Sequence, residues 1–319
     1  MQTSSNPATL IEHEPTSLRQ DAWRRLRANR LALVGAIFVA LLTLVAIAGP
    51  WLSSYDFLSQ DPNALSAPPS WAHWLGTDEL GRDVLARIIY GARTALIVAV
   101  AVTFLAVLIG VTLGAWAGYR GGRADSAISW LIDVTMSVPG LLLVAVINTS
   151  LKPPMVAWFG AMYQQTLNPF FRNTNLIDML LIVASMALIT WPPYARLVRA
   201  QIITIRSRTY VTAAKSIGLK SRDIILRHIL PNAIGPVVVA VSAGLGTAMV
   251  LESAFSFLGI GINPPTPSWG NMIADGLRVW RNDPHLLAAP AAVLAISTIA
   301  FSFLGDGLND ALNPKRGEN

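Results

Sequence analysis

The chain has 319 residues, 53% of them hydrophobic and 13% charged, with a formal net charge of +6. Soluble domains carry about 25% charged residues, so this composition excludes an ordinary soluble enzyme and points to a polytopic membrane protein; the positive charge needs no nucleic acid to explain it. No cysteine is present, which excludes disulfides and thiol chemistry, and four scattered histidines show no metal-ligand spacing.

Residues 1–20 are polar, contain Pro7 and Pro15, and read as a mobile tail. Asp21 to Arg30 (DAWRRLRANR) reads as a basic interfacial helix, its Trp23 and arginines suited to the headgroup layer. Leu31–Gly49 is uncharged and is the first expected span. It is longer than the ~7–15 residues of a signal-peptide core. Further uncharged or nearly uncharged runs lie at about Ala95–Tyr119, Ala127–Thr149, Leu176–Trp191, Ile234–Leu251 and Leu286–Leu304. Each approaches the ~20 residues that cross a bilayer as a helix. The expectation is an all-α polytopic membrane protein with six transmembrane helices, its body at 31–314 and a short tail at 315–319.

Six spans put both termini on one side. Counted by alternate loops, seventeen of the 24 Lys and Arg residues fall on that side and seven on the other. The positive-inside rule makes the seventeen cytoplasmic. This leaves external segments at about 50–93, 150–176 and 252–285, and a long cytoplasmic loop at about 196–232.

Within the spans, Gly110, Gly114 and Gly118 recur every fourth residue, a spacing that lets helices approach closely in lipid. Pro139 in the third span and Pro192-Pro193 at the end of the fourth are expected kinks or terminators. Asp133, about two turns into the third span, is an intramembrane carboxylate and so a candidate for the translocation path; bonding to a neighbouring helix near the cytoplasmic interface is the alternative. Asn148 at the far end of that span and Glu252 at the end of the fifth are further path candidates. Asn148 reads as interfacial, and bonding to the following loop accounts for Glu252 equally well.

Three external segments stand out. His73–Arg93 (HWLGTDELGRDVLARIIYGAR) holds Gly76-Thr77-Asp78 and Gly81-Arg82-Asp83, then an apolar stripe of Leu85, Ile88 and Ile89. It reads as a tight turn capped by carboxylates and leading into a helix. Asp78 and Asp83 have no nucleophile or metal shell beside them, so they do not form an acid–base pair. Leu151–Asn175 is a long loop with Trp158, Phe159, Tyr163, Phe170 and Phe171, read as an aromatic interfacial belt or a cap on the outer mouth. Glu252 to Trp269 carries Gly259, Gly261 and Pro264-Pro265, which favour a rigid re-entrant turn.

The cytoplasmic loop is organised around Tyr210–Asn232 (YVTAAKSIGLKSRDIILRHILPN). Tyr210, Ala213, Ala214 and Ile217 fall at i, i+3, i+4 and i+7, one face of a helix. Gly218 can end that helix in the left-handed conformation. Ser221 is the expected N-cap of a second short helix, with Asp223 in its first turn, and Pro231 is expected to break the register before the fifth span.

Thr212, Ala213, Ala214, Gly218, Leu230 and Pro231 give this loop its resemblance to the cytoplasmic loop of ABC importer permease subunits. The family pattern is Glu-Ala-Ala, three residues, Gly, nine residues, Ile-x-Leu-Pro. Thr212 stands where the family usually has Glu, and His228 where it usually has Ile. The His73–Arg93 and Glu252–Trp269 blocks resemble the same family, in its dipeptide/oligopeptide/nickel branch. The resemblance covers about Asp21 to Arg316, with its blocks in the right order.

The resemblance implies a type I ABC importer permease (MetI-like) fold with cytoplasmic coupling helices, and a subunit that forms half of a translocation pore for di- or oligopeptides. It implies two ATP-binding subunits, a second homologous permease in a heterodimer rather than a homodimer, and an external solute-binding protein. ATP and Mg would be bound by those partners, because the chain lacks a G-x-x-x-x-G-K-[ST] phosphate loop. The ATPase-coupling residues it implies are Tyr210, Thr212, Ala213, Ala214, Lys215, Gly218, Asp223 and Pro231; Asp78, Arg82 and Asp83 mark the external motif. Other readings are a nickel or small-solute permease of the same branch, and an ion-coupled secondary transporter using Asp133. An intramembrane enzyme finds no H-E-x-x-H or G-x-S-x-G motif to support it.

Overall fold

The computed structural model describes residues 18–312, with side chains from Trp23 onward except that of Lys215. The tail expected at 315–319, and all but the last three residues of that at 1–20, lie outside the described residues. Within them the regular structure is helical, with two isolated β-bridges, Gln60 to Arg82 and Thr77 to Asp83.

Helix α1 (Leu18–Ala28) carries the basic N-terminal segment, and the Arg27 guanidinium lies 4.8 Å from the centre of the Trp23 ring. The Asn29 side chain accepts the Ala32 N–H at 3.2 Å and starts α2 (Arg30–Leu52). Helix α3 (Val84–Arg120) begins on Asp83, whose Oδ1 accepts the Ala86 N–H at 2.7 Å. This cap adds about three turns to the expected second span, because the stripe at Leu85, Ile88 and Ile89 joins it without a break.

Then come α4 (Gly122–Ser137), α5 (Gly140–Thr166), a 3₁₀ turn at Pro169–Arg172 and α6 (Thr174–Ile205). The cytoplasmic loop contains α7 (Thr209–Ser216) and the short α8 (Ser221–Asp223). α8 runs through a π-helical turn (Ile224–Ile229) into α9 (Leu230–Phe257). α10 (Trp269–Val279) and α11 (Pro284–Leu312) complete the chain.

Among the described residues, six helices are long and apolar enough to cross a membrane: α2, α3, α5, α6, the continuous Ser221–Phe257 rod and α11. The number agrees with the sequence reading, but further boundaries move besides the start of α3. The run at Ala127–Thr149 is two helices, because Val138 is held extended at φ −86° and ψ 128° before Pro139. The third span is therefore α5, and α4 is a separate helix. Pro192 and Pro193 do not end the fourth span; α6 continues to Ile205 with Trp191 and Pro192 buried. Neighbouring helices can offset the backbone bonds that proline removes. Pro231 does not break the chain before the fifth span either. The chain enters α9 through the π turn, where the Leu230 N–H reaches the Ile225 carbonyl and Asn232 Nδ2 donates to the His228 carbonyl at 2.6 Å.

α3 lies along α6 through the glycine stripe. A Cβ at Gly110 would stand 2.8 Å from the Trp191 carbonyl oxygen, and one at Gly118 would stand 2.8 Å from that of Arg199. Small residues are what let two backbones pack this closely where lipid supplies no hydrophobic drive. α11 closes the bundle against α2, α9 and α10. Trp269 is wholly buried and its Nε1–H donates to the Ile88 carbonyl at 3.1 Å, tying α10 to α3. Leu33, Val34, Ile37, Leu41 and Leu44 of α2 stay exposed, a contiguous apolar wall suited to acyl chains.

Candidate functional site

Helix α7 has the expected place and length, but its two faces divide differently. Val211 and Ala214 are buried and pack with Ile224 and Ile229 of the π turn, Ile202 and Ile205 of α6, Ala115 of α3 and Val237 of α9. Tyr210, Thr212 and Ala213 are exposed, and Ile217 is 77% exposed. The stripe Tyr210, Ala213, Ala214 and Ile217 is thus not one face. Ala214 faces the bundle, and Tyr210, Ala213 and Ile217 form the open side one residue away. Lys215 has its backbone in α7; its side chain lies outside the described residues.

Gly218 sits at φ +81°, the left-handed conformation expected of it, with nothing within 4 Å of where a Cβ would lie. The second helix begins one residue earlier than its expected cap: Lys220 takes the capping position without a side-chain bond, and Ser221 is already helical. Asp223 lies in that first turn, 4.0 Å from the Arg227 guanidinium. Pro231 occupies the first turn of α9, where its missing N–H is least costly.

Around this segment three arginines brace the cytoplasmic ends of the helices. Arg206 Nη1 donates to the Gly118 carbonyl at 2.9 Å. Arg199 grips Asp125 of α4 with two bonds, Nε to Oδ1 and Nη2 to Oδ2, the latter at 2.8 Å. The hydrogen-bonded guanidinium holds the Asp125 carboxyl below its ordinary range, against the opposing effect of burial. Arg196 Nη2 donates to Asp133 Oδ1 at 2.6 Å. Asp133 therefore lies on α4, outside the six long apolar helices, and its side chain is 66% exposed.

Asn148 lies inside the third span, not at its end. It is buried, and its Nδ2 donates to the Val144 carbonyl at 2.9 Å and the Ser185 hydroxyl at 3.2 Å. One turn further, Lys152 Nζ meets Asp178 Oδ1 at 2.6 Å, and Asn263 Nδ2 donates to Asp178 Oδ2 at 3.2 Å. Asn148, Lys152 and Asn263 border a cavity of about 640 Å³ between α5 and the turn that follows α9. The sequence shows Lys152 and Asp178 as isolated charges; only the fold pairs them.

Glu252 is fully buried. Its Oε1 accepts from Ser256 and Ser268, each at 2.8 Å, and Oε2 accepts from Ser253 at 3.4 Å. Its bonds go to side chains of the re-entrant segment and not to that loop's backbone. Ser256 Oγ in turn accepts the Ile262 N–H at 2.9 Å. The segment expected as a long aromatic loop is helical to Thr166. Trp158, Phe159, Phe170 and Phe171 stack on one another at 5.4–6.1 Å, with Phe159 buried against Ile177 and Leu181.

The external motif is a folded clasp. Asp78 Oδ1 accepts the N–H groups of Leu80 and Arg82 at 3.0 Å, and Oδ2 accepts Arg82 Nε at 2.7 Å. Asp83 caps α3 with one oxygen and meets His73 Nδ1 at 2.9 Å with the other, while Tyr55 stacks on the imidazole at 4.7 Å. Arg87, within the helix stripe, went unremarked in the sequence reading; it is 2% exposed.

Among the described residues, six apolar helices and a packed, half-open helix on the basic side define a polytopic membrane protein. The chain matches the model of the binding-protein-dependent transport system inner membrane component over residues 110–318, and that of the N-terminal TM domain of oligopeptide transport permease C over residues 17–69. It is 35% identical to the oligopeptide transport system permease protein OppC of Bacillus subtilis, over 98% of this chain and 94% of that one. It is 37% identical to the dipeptide transport system permease protein DppC of the same organism, over 98% and 91%. A glutathione transport system permease protein GsiD of Pectobacterium atrosepticum is 34% identical over 93% and 91%. The chain belongs to the binding-protein-dependent transport inner membrane component family, as an ABC importer permease subunit of the peptide branch. It is a multi-pass membrane protein, and ATP hydrolysis belongs to separate subunits of such systems.

Proposed function

We propose that this chain forms half of a translocation path for di- or oligopeptides, and that α7 couples it to an ATP-hydrolysing subunit. The observation that carries the coupling is the division of α7. Val211 and Ala214 fasten the helix to α3, α6 and the Ser221–Phe257 rod, while Tyr210, Ala213 and Ile217 are exposed. A helix seated in an ATPase groove by its open side would pull three spans through its packed side. Two sites would then share one two-state element. ATP and Mg would be bound by that ATPase pair.

The peptide cargo is supported by the relatives, which are named for oligopeptides, dipeptides and glutathione. Asn148, Lys152 and the cavity beside them are the proposed wall of the path, completed by a second, related permease and fed by an external solute-binding protein. Asp133 and Glu252 are committed to bonds within the fold, which removes the main support for a secondary transporter built on Asp133.

Co-purification tests the coupling. Ala213→Arg places a charge on the open face without disturbing Val211 or Ala214. The expected result is loss of the ATPase subunits with unchanged thermal stability of the membrane subunit; full retention of those subunits would overturn the reading.

A further inference from the structure

The external clasp encloses a cavity of about 290 Å³ between the loop after α2, the start of α3 and α10. It is separate from the cavity at Lys152. Six charged side chains line it: Asp78, Glu79, Arg82, Arg87, Asp275 and Arg278. Three are acidic and three basic, so the wall is formally neutral yet strongly polar. Met272 and Leu286 supply apolar lining.

Among the residues that line this cavity, Arg87 has a buried donor left without a hydrogen-bond partner. Its side chain is 2% exposed, and Nη1 has no hydrogen-bond partner. The nearest carboxylate oxygen is Asp78 Oδ2, 3.5 Å away. That oxygen already takes Arg82 Nε at 2.7 Å, and Asp78 Oδ1 takes two backbone N–H groups. Asp78 is thus committed to the turn. It offsets the charge of Arg87 without satisfying its donor. Arg87 borders the cavity, and a buried guanidinium with an unused N–H is a group that a carboxylate oxygen would complete.

A simple anion would also face Asp78, Glu79 and Asp275, and like charges oppose its entry. A ligand carrying its own ammonium group removes that conflict, with its carboxylate at Arg87 and its ammonium toward Asp275 and Glu79. Ligand pockets usually span about 300–1,000 Å³, so this one suits a ligand of few atoms. We propose that the clasp cavity is an external binding site for the zwitterionic backbone of a free amino acid or dipeptide, apart from the translocation path. Occupancy would bridge the Asp78–Arg87 clasp to α10 and hold the outer ends of α3 and α10 together. The proposal goes beyond the peptide-permease reading and does not need α7 to contact an ATPase.

The test uses the importer complex in nanodiscs, without its external binding protein. L-alanyl-L-alanine and its N-acetyl, C-amide counterpart are titrated by calorimetry, and retention of the ATPase subunits is followed on the same preparation. Saturable binding of the free dipeptide and none of the blocked one is expected. Arg87→Lys and Asp275→Asn should each weaken binding by about tenfold or more, since lysine cannot reproduce the guanidinium fork. If Arg87→Lys fails to fold, Asp275→Asn alone decides, because Asp275 is half-exposed and carries no cap. Equal binding of the blocked peptide, unchanged affinity in the folded variants, or binding of a protein partner's acidic surface with no binding of free dipeptide would each overturn the proposal.

Discussion

The two ends of the bundle are held by different means. On the outer side, Glu252, Ser256, Ser268, Asp78, Asp83 and Trp269 join α3, α9, α10 and the intervening loops through buried hydrogen bonds. On the cytoplasmic side, α7 is held by the buried Val211 and Ala214, and a Cβ at Gly218 would meet no atom within 4 Å. Buried directional bonds fix one geometry, because a misplaced donor or acceptor is left unsatisfied. Apolar packing of two small side chains tolerates sliding. The outer end is thus a clamp, and α7 at the inner end is a handle held by apolar packing.

The clamp should break first and worst at Glu252. Glu252→Ala removes the acceptor for Ser256 and Ser268 and opens a cavity at a site with no solvent. The expected loss is on the order of 3–5 kcal/mol, read as a large fall in melting temperature in detergent. Ser268→Ala, which removes one donor, should cost well under half as much.

The handle separates fit from stability. Ala214→Trp forces an indole between α7 and Ile224, and overpacking of this kind costs about 1–3 kcal/mol. Ala213→Trp lies on the exposed side and should leave the melting temperature unchanged. If the two variants destabilise equally, α7 is not fastened by the side that holds Val211 and Ala214.

The sequence made much of this legible, and the exceptions have a common cause. The six spans followed from uncharged runs, and α7 with its left-handed Gly218 followed from local periodicity and one glycine. Pro139 and Pro192 gave the same local signal yet behave differently. Pro139 is exposed and ends a helix, whereas Pro192 is buried within α6 and does not. The side of α7 on which Ala214 lies was not legible because Ala213 and Ala214 are chemically identical; only their neighbours distinguish them. Asp178 with Lys152 and Asn263, and Glu252 with Ser268, join residues from distant parts of the chain. No spacing rule could pair them.

Between clamp and handle lies the Asp125–Arg199 contact, which joins α4 to α6 near the cytoplasmic ends. Its carboxyl is held below the ordinary range by Arg199. A depressed carboxyl contributes stability above the unfolded value of about 3.9 and loses it as pH falls through the folded value. Asp125→Asn should therefore cost about 1 kcal/mol at neutral pH, discounted for partial exposure. It should also flatten the fall in stability on the acid side of pH 4. Melting curves from pH 7 downward would show wild type and variant converging as the pH drops; parallel curves would mean that the contact does not contribute.

A small effect on stability is expected at Gly218, and it is the most direct reading of the handle. An added Cβ meets no atom there, so Gly218→Ala carries backbone strain alone, about 1–2 kcal/mol for a residue held left-handed. In a clamp that strain would lower global stability. In a loosely held turn, α7 can relieve it by swinging on Val211 and Ala214. Gly218→Ala should thus leave the melting temperature of the isolated membrane subunit within about 1 °C, because a local change need not lower the global transition. It should instead lower transport per ATP hydrolysed in the reconstituted complex, since the face of Tyr210 and Ala213 is displaced. Gly218→Asn, which tolerates the left-handed region better, should recover part of that coupling. An alanine variant that loses its melting temperature but keeps full coupling would place the rigid element in the cytoplasmic loop and not in the outer clasp.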